Sequence, residues 1–210
     1  MIEARRVVFE AGAFRVVTEA LCDAIGHVGR PWWLLDVGVG TGHHSEAILE
    51  HSADAHGVAI DVSRHALAAA ARRHPRLAAV GADVWAGLPI RDTAIDVVLV
   101  AFAPRNVAEM RRVLRADGRI LVLTPAADHL HELLEHASVS IEADKRERLD
   151  RDFGQHFELE RRIAITHRVQ TTSDVAAALW RMGPWARHAL NPQPLETVTI
   201  AVELSVYRPR

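Results

Sequence analysis

Leu34-Leu35-Asp36-Val37-Gly38-Val39-Gly40-Thr41-Gly42 carries a short apolar run into an acid and then into three glycines at alternate positions. That order reads as a buried strand, a tight turn and a helix start. Glycine suits such a turn because a Cβ would hold the backbone away from a ligand and forbid positive φ. The spacing is G-x-G-x-G, whereas a dinucleotide loop is G-x-G-x-x-G, so the pattern favours a nucleoside without a pyrophosphate.

Downstream, Gly57-Val58-Ala59-Ile60 reads as a second strand ending at Asp61 and Val62. A carboxylate at that strand end can accept both ribose hydroxyls. A third strand, 77–81, delivers Ala82-Asp83-Val84, where an acid can accept from the exocyclic amine of adenine beside Val84 and Trp85. Together these features point to S-adenosylmethionine (SAM). A fourth strand, 95–101, is apolar after Asp96 and runs into Ala101-Phe102-Ala103-Pro104-Arg105-Asn106. Ligands sit at the carboxyl ends of strands in open α/β sheets, so this loop should face the substrate. It contains no carboxylate. Asn106 is the one catalytic candidate, by a hydrogen bond to substrate, and it reads equally as a helix cap.

Apolar spacing predicts one leading helix over residues 2–26, with Arg5 and Arg6 placed to reach a cofactor carboxylate or an acidic substrate. Trp32 and Trp33 read as packing residues. Residues 43–51 read as a helix whose amino end, with His43 and His44, points at the ligand. Ser63 is a cap for a helix reaching Arg73. A fifth strand, 119–123, leads to Thr124-Pro125 and a helix carrying His129 and His131 with Glu132, Glu135 and His136, read as an exposed polar face and not as a metal site. Residues 141–162 alternate in charge sign, as a solvated face does. A strand through Phe157, Leu159, Ile163 and Ile165, a helix over 171–182 capped by Thr172 or Ser173, and a final strand over 197–207 complete the chain. The expected fold is α/β and Rossmann-like: a seven-stranded, mostly parallel sheet with one antiparallel edge strand and helices on both faces. Residues 1–210 form one domain, with 1–30 leading, 31–136 binding cofactor and 137–210 on the substrate side.

At 210 residues and 49% hydrophobic, the chain can bury a real core. Its apolar runs are too short for a membrane span and none resembles a signal peptide, so the expected location is the cytoplasm. Cys22 is the only cysteine, which excludes a disulfide or cysteine-based zinc site within the chain. A formal charge of −2 and a pI near 6.7 mark no global surface for phosphate backbones. A stripe of Arg5, Arg6, Arg111, Arg112 and Arg115 on one face would supply one locally.

The leading Glu3-Ala4-Arg5-Arg6, Phe9-Glu10-Ala11-Gly12, the glycine loop, Ala103-Pro104, Thr124-Pro125 with His129, and Met182-Gly183-Pro184 occur in this order. With them the chain resembles the large-subunit ribosomal RNA guanine-N1 methyltransferases, including the macrolide-resistance members. The resemblance implies a class I methyltransferase using SAM, with cofactor contacts at Phe14, where the family often has tyrosine, and at Gly40, Thr41 and His129. Val39 stands where the family usually has cysteine, and the sequence starts where a cysteine-rich zinc module of that family would end.

The expected cofactor site is Arg5, Phe14, Asp36, Gly38, Gly40, Thr41, Gly42, Asp61, Val62, Asp83, Val84, Ala101 and His129, and no metal is expected. The expected substrate site is Phe102, Pro104, Asn106 and Trp185, with Trp180 in the core. The leading expectation is methylation of a ring nitrogen or nucleophilic ring carbon in a small aromatic heterocycle, indole-like or nucleobase-like. An rRNA guanine-N1 activity and a non-catalytic SAM-binding protein are the alternatives, and pairing of two chains is left open.

Overall fold

The computed structural model describes residues 1–134, 145–183 and 195–210. Seven strands form one sheet in the order β3-β2-β1-β4-β5-β7-β6. They are β1 (Trp32–Val37), β2 (Ala55–Asp61), β3 (Leu77–Gly81), β4 (Ile95–Ala101), β5 (Leu114–Pro125), β6 (Phe157–Gln170) and β7 (Thr197–Pro209). β1 to β5 pair in parallel, and β1 lies between β2 and β4, so the order reverses there and a crevice opens above the strand ends.

The expected α/β class holds, with one change in placement. The antiparallel strand is β7, which lies between β5 and β6, and β6 forms the edge. Burial explains this: residues 198–202 and 204–207 of β7 are buried almost without interruption, as in a strand covered on both faces, whereas β6 is mostly exposed.

Successive β1 residues feed opposite faces. Leu34 joins Val8, Val17, Leu21, Ile48 and Leu179 from α1 (Ile2–Glu10), α2 (Arg15–Ile25), α3 (His43–His51) and α8 (Ser173–Met182). Leu35 joins Met110, Val113, Leu149 and Phe153 from α5 (Val107–Val113) and α7 (Lys145–Gly154). Full burial of each such side chain contributes about 1.5–3 kcal/mol. Asp96 does more than open β4. It is buried, accepts the Trp33 N–H at 2.8 Å and pairs with Arg30 and Arg115 at 2.6 and 3.4 Å.

Three local expectations are corrected. The leading segment is two helices, because Gly12 adopts φ 74° and bends the chain between α1 and α2 while the apolar spacing continues through the elbow. The helix capped by Ser63 is α4 (Arg64–Ala70), three residues shorter than expected, and Arg73 turns back to donate to the Thr41 carbonyl. His129 precedes the short helix α6 (His131–Leu134), in a turn that brings it to β7. Among the described residues no helix is long and apolar enough to cross a membrane.

Candidate cofactor and substrate site

The glycine loop leaves β1 at the crevice, with Gly38, Gly40 and Gly42 all at positive φ, and Gly42 is the N-cap of α3. The N–H groups of Gly38 and Val39 both donate to the Ile60 carbonyl, at 2.8 and 3.1 Å, pinning the loop to β2. Asp61 accepts the Gly40 N–H at 3.1 Å and the Ser63 N–H at 2.8 Å. A Cβ on Gly38 would come within 2.4 Å of the Ala103 Cβ, and one on Gly40 within 2.4 Å of an Arg5 guanidinium nitrogen. The bare loop therefore lies between α1 and the loop after β4.

The adjacent arginines of α1 separate. Arg5 is half-buried over Gly40, and its guanidinium has no hydrogen bond or ion pair among the described residues. Arg6 faces outward and is forked between Glu3 and Glu10, at 2.5 and 2.6 Å. An unpaired guanidinium over the loop is a ready partner for a carboxylate. Phe9 stacks on His43 with ring centres 4.5 Å apart and meets His44 edge-on at 5.1 Å, which fastens α1 to the start of α3. His44 is buried 2.9 Å from the Thr18 hydroxyl, and burial lowers it to about 3, so it is neutral.

Asp36 lies beneath the loop, where it accepts from the Ser45 hydroxyl at 2.5 Å. Burial raises it to about 7; the Ser45 hydrogen bond opposes this and the neighbouring Asp61 charge adds to it. Its surroundings make it a support of the loop. Asp83 accepts the Trp85 N–H at 3.0 Å, with Val84 buried beside it. Val62 and Trp85 stand exposed at the rim.

On the other side of the crevice, Phe102 follows β4 at φ 54°, a strained backbone for an aromatic residue, and the residue is 41% exposed. That ring stacks on His129 at 6.0 Å and 22° and meets Phe14 edge-on at 6.1 Å. His129 is buried, and its Nδ1 accepts the Ala201 N–H at 3.2 Å. Burial lowers it to about 4 despite that contact, so near neutral pH its single proton is on Nε2 and it can only donate there.

Asn106 accepts from the Glu109 N–H at 3.3 Å and donates to the Val84 carbonyl at 3.1 Å. Its amide is engaged at both ends, capping α5 and tying the loops after β3 and β4 together. Pro104 is exposed, Trp180 is in the core, and Trp185 lies outside the described residues, as do Glu135 and His136. Glu132 accepts from the Thr199 N–H and hydroxyl, and no cluster of three metal-binding side chains occurs among the described residues.

The arginine stripe does not assemble. Arg112 is bound by Asp92 and Glu109, Arg115 by Asp96 and Asp117, and Arg111 reaches the Arg210 carbonyl, on the sheet face opposite α1. Sequence reasoning gave no site role to Phe9, Thr18, Ser45 or Arg73. Of these only Ser45 carried a signal, a hydroxyl in the first turn after the loop.

The methyltransferase-domain family matches residues 34–118, from β1 to the start of the β5 ladder. A Streptomyces fradiae 23S rRNA (guanine(748)-N(1))-methyltransferase is 36% identical over 100% of this chain and 79% of its own length. A Micromonospora griseorubida relative named for the same reaction class is 41% identical over 89% of this chain and 67% of its own. Among solved structures, a geranyl diphosphate methyltransferase in complex with SAM superposes with TM-score 0.60 at 14% identity, covering 92% of this chain and 84% of that one. A TehB-like SAM-dependent methyltransferase from Corynebacterium glutamicum gives 0.57 at 16%, covering 99% and 98%. Both structural likenesses concern the fold alone.

Proposed function

The chain belongs to the 23S rRNA guanine-N1 methyltransferase family and is a SAM-dependent methyltransferase, and we propose that it methylates N1 of a guanine in ribosomal RNA. The observation that carries the reading is Phe102. A strained aromatic residue, backed by His129 and Phe14 and exposed beside the glycine loop, is a platform for a flat base. The platform suits a free heterocycle as well, and the relatives' named reaction turns the choice to guanine.

The residues fit the cofactor: a loop that a Cβ at Gly40 would fill, an unpaired Arg5 above it and a carboxylate at the end of β2. In this reading Arg5 takes the methionyl carboxylate and Asp61 the ribose hydroxyls, while Asp83, Val62 and Val84 hold the adenine. Gly38, Thr41, Gly42, Ala101 and Phe14 shape the wall, Asp36 supports the loop from below, and His129 donates from Nε2 into the same crevice. SAM supplies a sulfonium methyl that a well-aligned ring nitrogen can take directly. The protein's task is then alignment and exclusion of water. Phe102 and Pro104 orient the base, and Asn106 holds their loop. With no carboxylate in loop 101–106 and His129 protonated on Nε2, the N1 proton would pass to solvent as the methyl leaves sulfur for nitrogen.

The test is methyl transfer from radiolabelled SAM to stripped 23S rRNA, beside a small-molecule extract fractionated by mass, at two salt concentrations. Label recovered as 1-methylguanine after nuclease digestion is the expected result. Label in a small product would instead establish the free-heterocycle reading, and SAM binding without transfer to either would favour a non-catalytic role.

A further inference from the structure

Arg105 lies in the loop after β4, three residues past Phe102 and two past the Ala103 methyl that faces Gly38. It is half-buried, and among the described residues its guanidinium has no hydrogen bond and no ion pair. Removing a guanidinium from water without a partner is costly, so such a group stays only where the surroundings hold it or a ligand completes it. Among the described acids none pairs with it. Asp150 accepts from Arg162 and from the Tyr207 hydroxyl, and Glu203 pairs with Arg162 at 3.0 Å and with Arg146 at 3.6 Å. Burial works against the Arg105 charge, Asp152 and Tyr207 favour its cationic form, and Arg148 on α7 opposes it. Asp152 makes no ion pair with it. Arg162 thus takes up Asp150 and Glu203, and Arg105, on the same loop as Phe102, stays without an ion pair among the described residues.

Resting on the rRNA reading above, we propose that Arg105 receives a backbone phosphate of the RNA strand next to the guanine seated on Phe102. The planar guanidinium offers paired N–H donors that match two phosphate oxygens, and its place on the platform loop sets the register of the strand over the crevice. The sequence-derived stripe does not serve this purpose, since its members on α5 and β5 are held by acids or by a backbone carbonyl.

The test compares the full chain with Arg105→Gln and Arg105→Lys, titrated with a 23S rRNA hairpin across a salt series and, separately, with SAM. For a phosphate contact, Arg105→Gln should bind the hairpin about fivefold to thirtyfold more weakly. The slope of log K against log salt should become shallower by about 0.7–0.9, one phosphate's share. Arg105→Lys should restore most of that slope, and SAM affinity and thermal midpoint should stay at the wild-type values. A Gln variant with wild-type affinity and slope would overturn the proposal. So would weaker binding at an unchanged slope, which a merely structural role produces. Failure of the wild-type chain to bind the hairpin would remove the rRNA reading itself, and this inference with it.

Discussion

Asp36→Asn should raise stability at alkaline pH and flatten its pH dependence. In the folded chain the Asp36 carboxyl is buried beneath the glycine loop and raised to about 7, against 3.8 for the unfolded group. Between those values the folded state binds more protons than the unfolded one, so stability falls as pH rises. The contribution is complete below about pH 4 and is lost as pH passes through about 7. At about 1.4 kcal/mol per tenfold change in proton affinity, the displacement corresponds to about 4 kcal/mol in alkaline solution. That is a large share of a domain stability of about 5–15 kcal/mol. From pH 5 to pH 8 the wild type should lose about 2–3 kcal/mol relative to the Asn variant. His44 and His129, lowered to about 3 and about 4, act oppositely, with stability lost as pH falls below 6.5. Both proteins carry them, so their effect cancels in the difference. Urea denaturation of the two proteins at pH 5 and pH 8 measures it, with a mismatch of the amide against Ser45 shifting both points by about 1 kcal/mol. Equal pH dependence in the two proteins would refute a protonated Asp36 under the loop.

Two further substitutions separate the walls of the crevice. Gly40→Ala puts a side chain at φ 57° and a Cβ 2.4 Å from the Arg5 guanidinium, so it should cost about 1–2 kcal/mol in stability and at least tenfold in SAM affinity by calorimetry. Lost stability with SAM affinity intact would mean that the loop is not the surface the cofactor approaches. Phe102→Ala truncates a residue that is already 41% exposed, so stability should change by less than about 1.5 kcal/mol. Loss of a base-stacking contact of about 1–3 kcal/mol should raise the KM for RNA fivefold or more while SAM affinity holds. Equal loss of both would make Phe102 a cofactor-side packing residue.

The glycine loop was legible because its demands are local. Alternate glycines after an apolar strand require positive φ wherever they fall, and all three take it. Other features depend on contacts that sequence spacing does not encode. Whether Arg5 or Arg6 faces the loop is a rotation of one residue about α1, and both positions fit the same helical pattern. His129 gains its role from Ala201, seventy-two positions later, and His44 from Thr18 on a separate helix. The break at Gly12 was hidden because the apolar spacing continues across it. The position of β7 was hidden because order along the chain does not say which strand is covered on both faces.

Net charge does not report on individual cations, for a related reason. A chain at −2 with a pI near 6.7 gives no global sign of a polyanionic substrate, yet affinity for a phosphate depends on whether a particular cation is free where the strand passes. Arg6, Arg112, Arg115 and Arg162 are each held by carboxylates. Arg5 and Arg105, one over the glycine loop and one on the loop after β4, are half-buried without such partners among the described residues. Two of the cations without a carboxylate partner thus lie against the glycine turn and on the loop that follows β4. A near-neutral chain can meet an anion there without holding nucleic acid along its whole face, and a mild salt dependence concentrated in a few contacts is what this arrangement predicts.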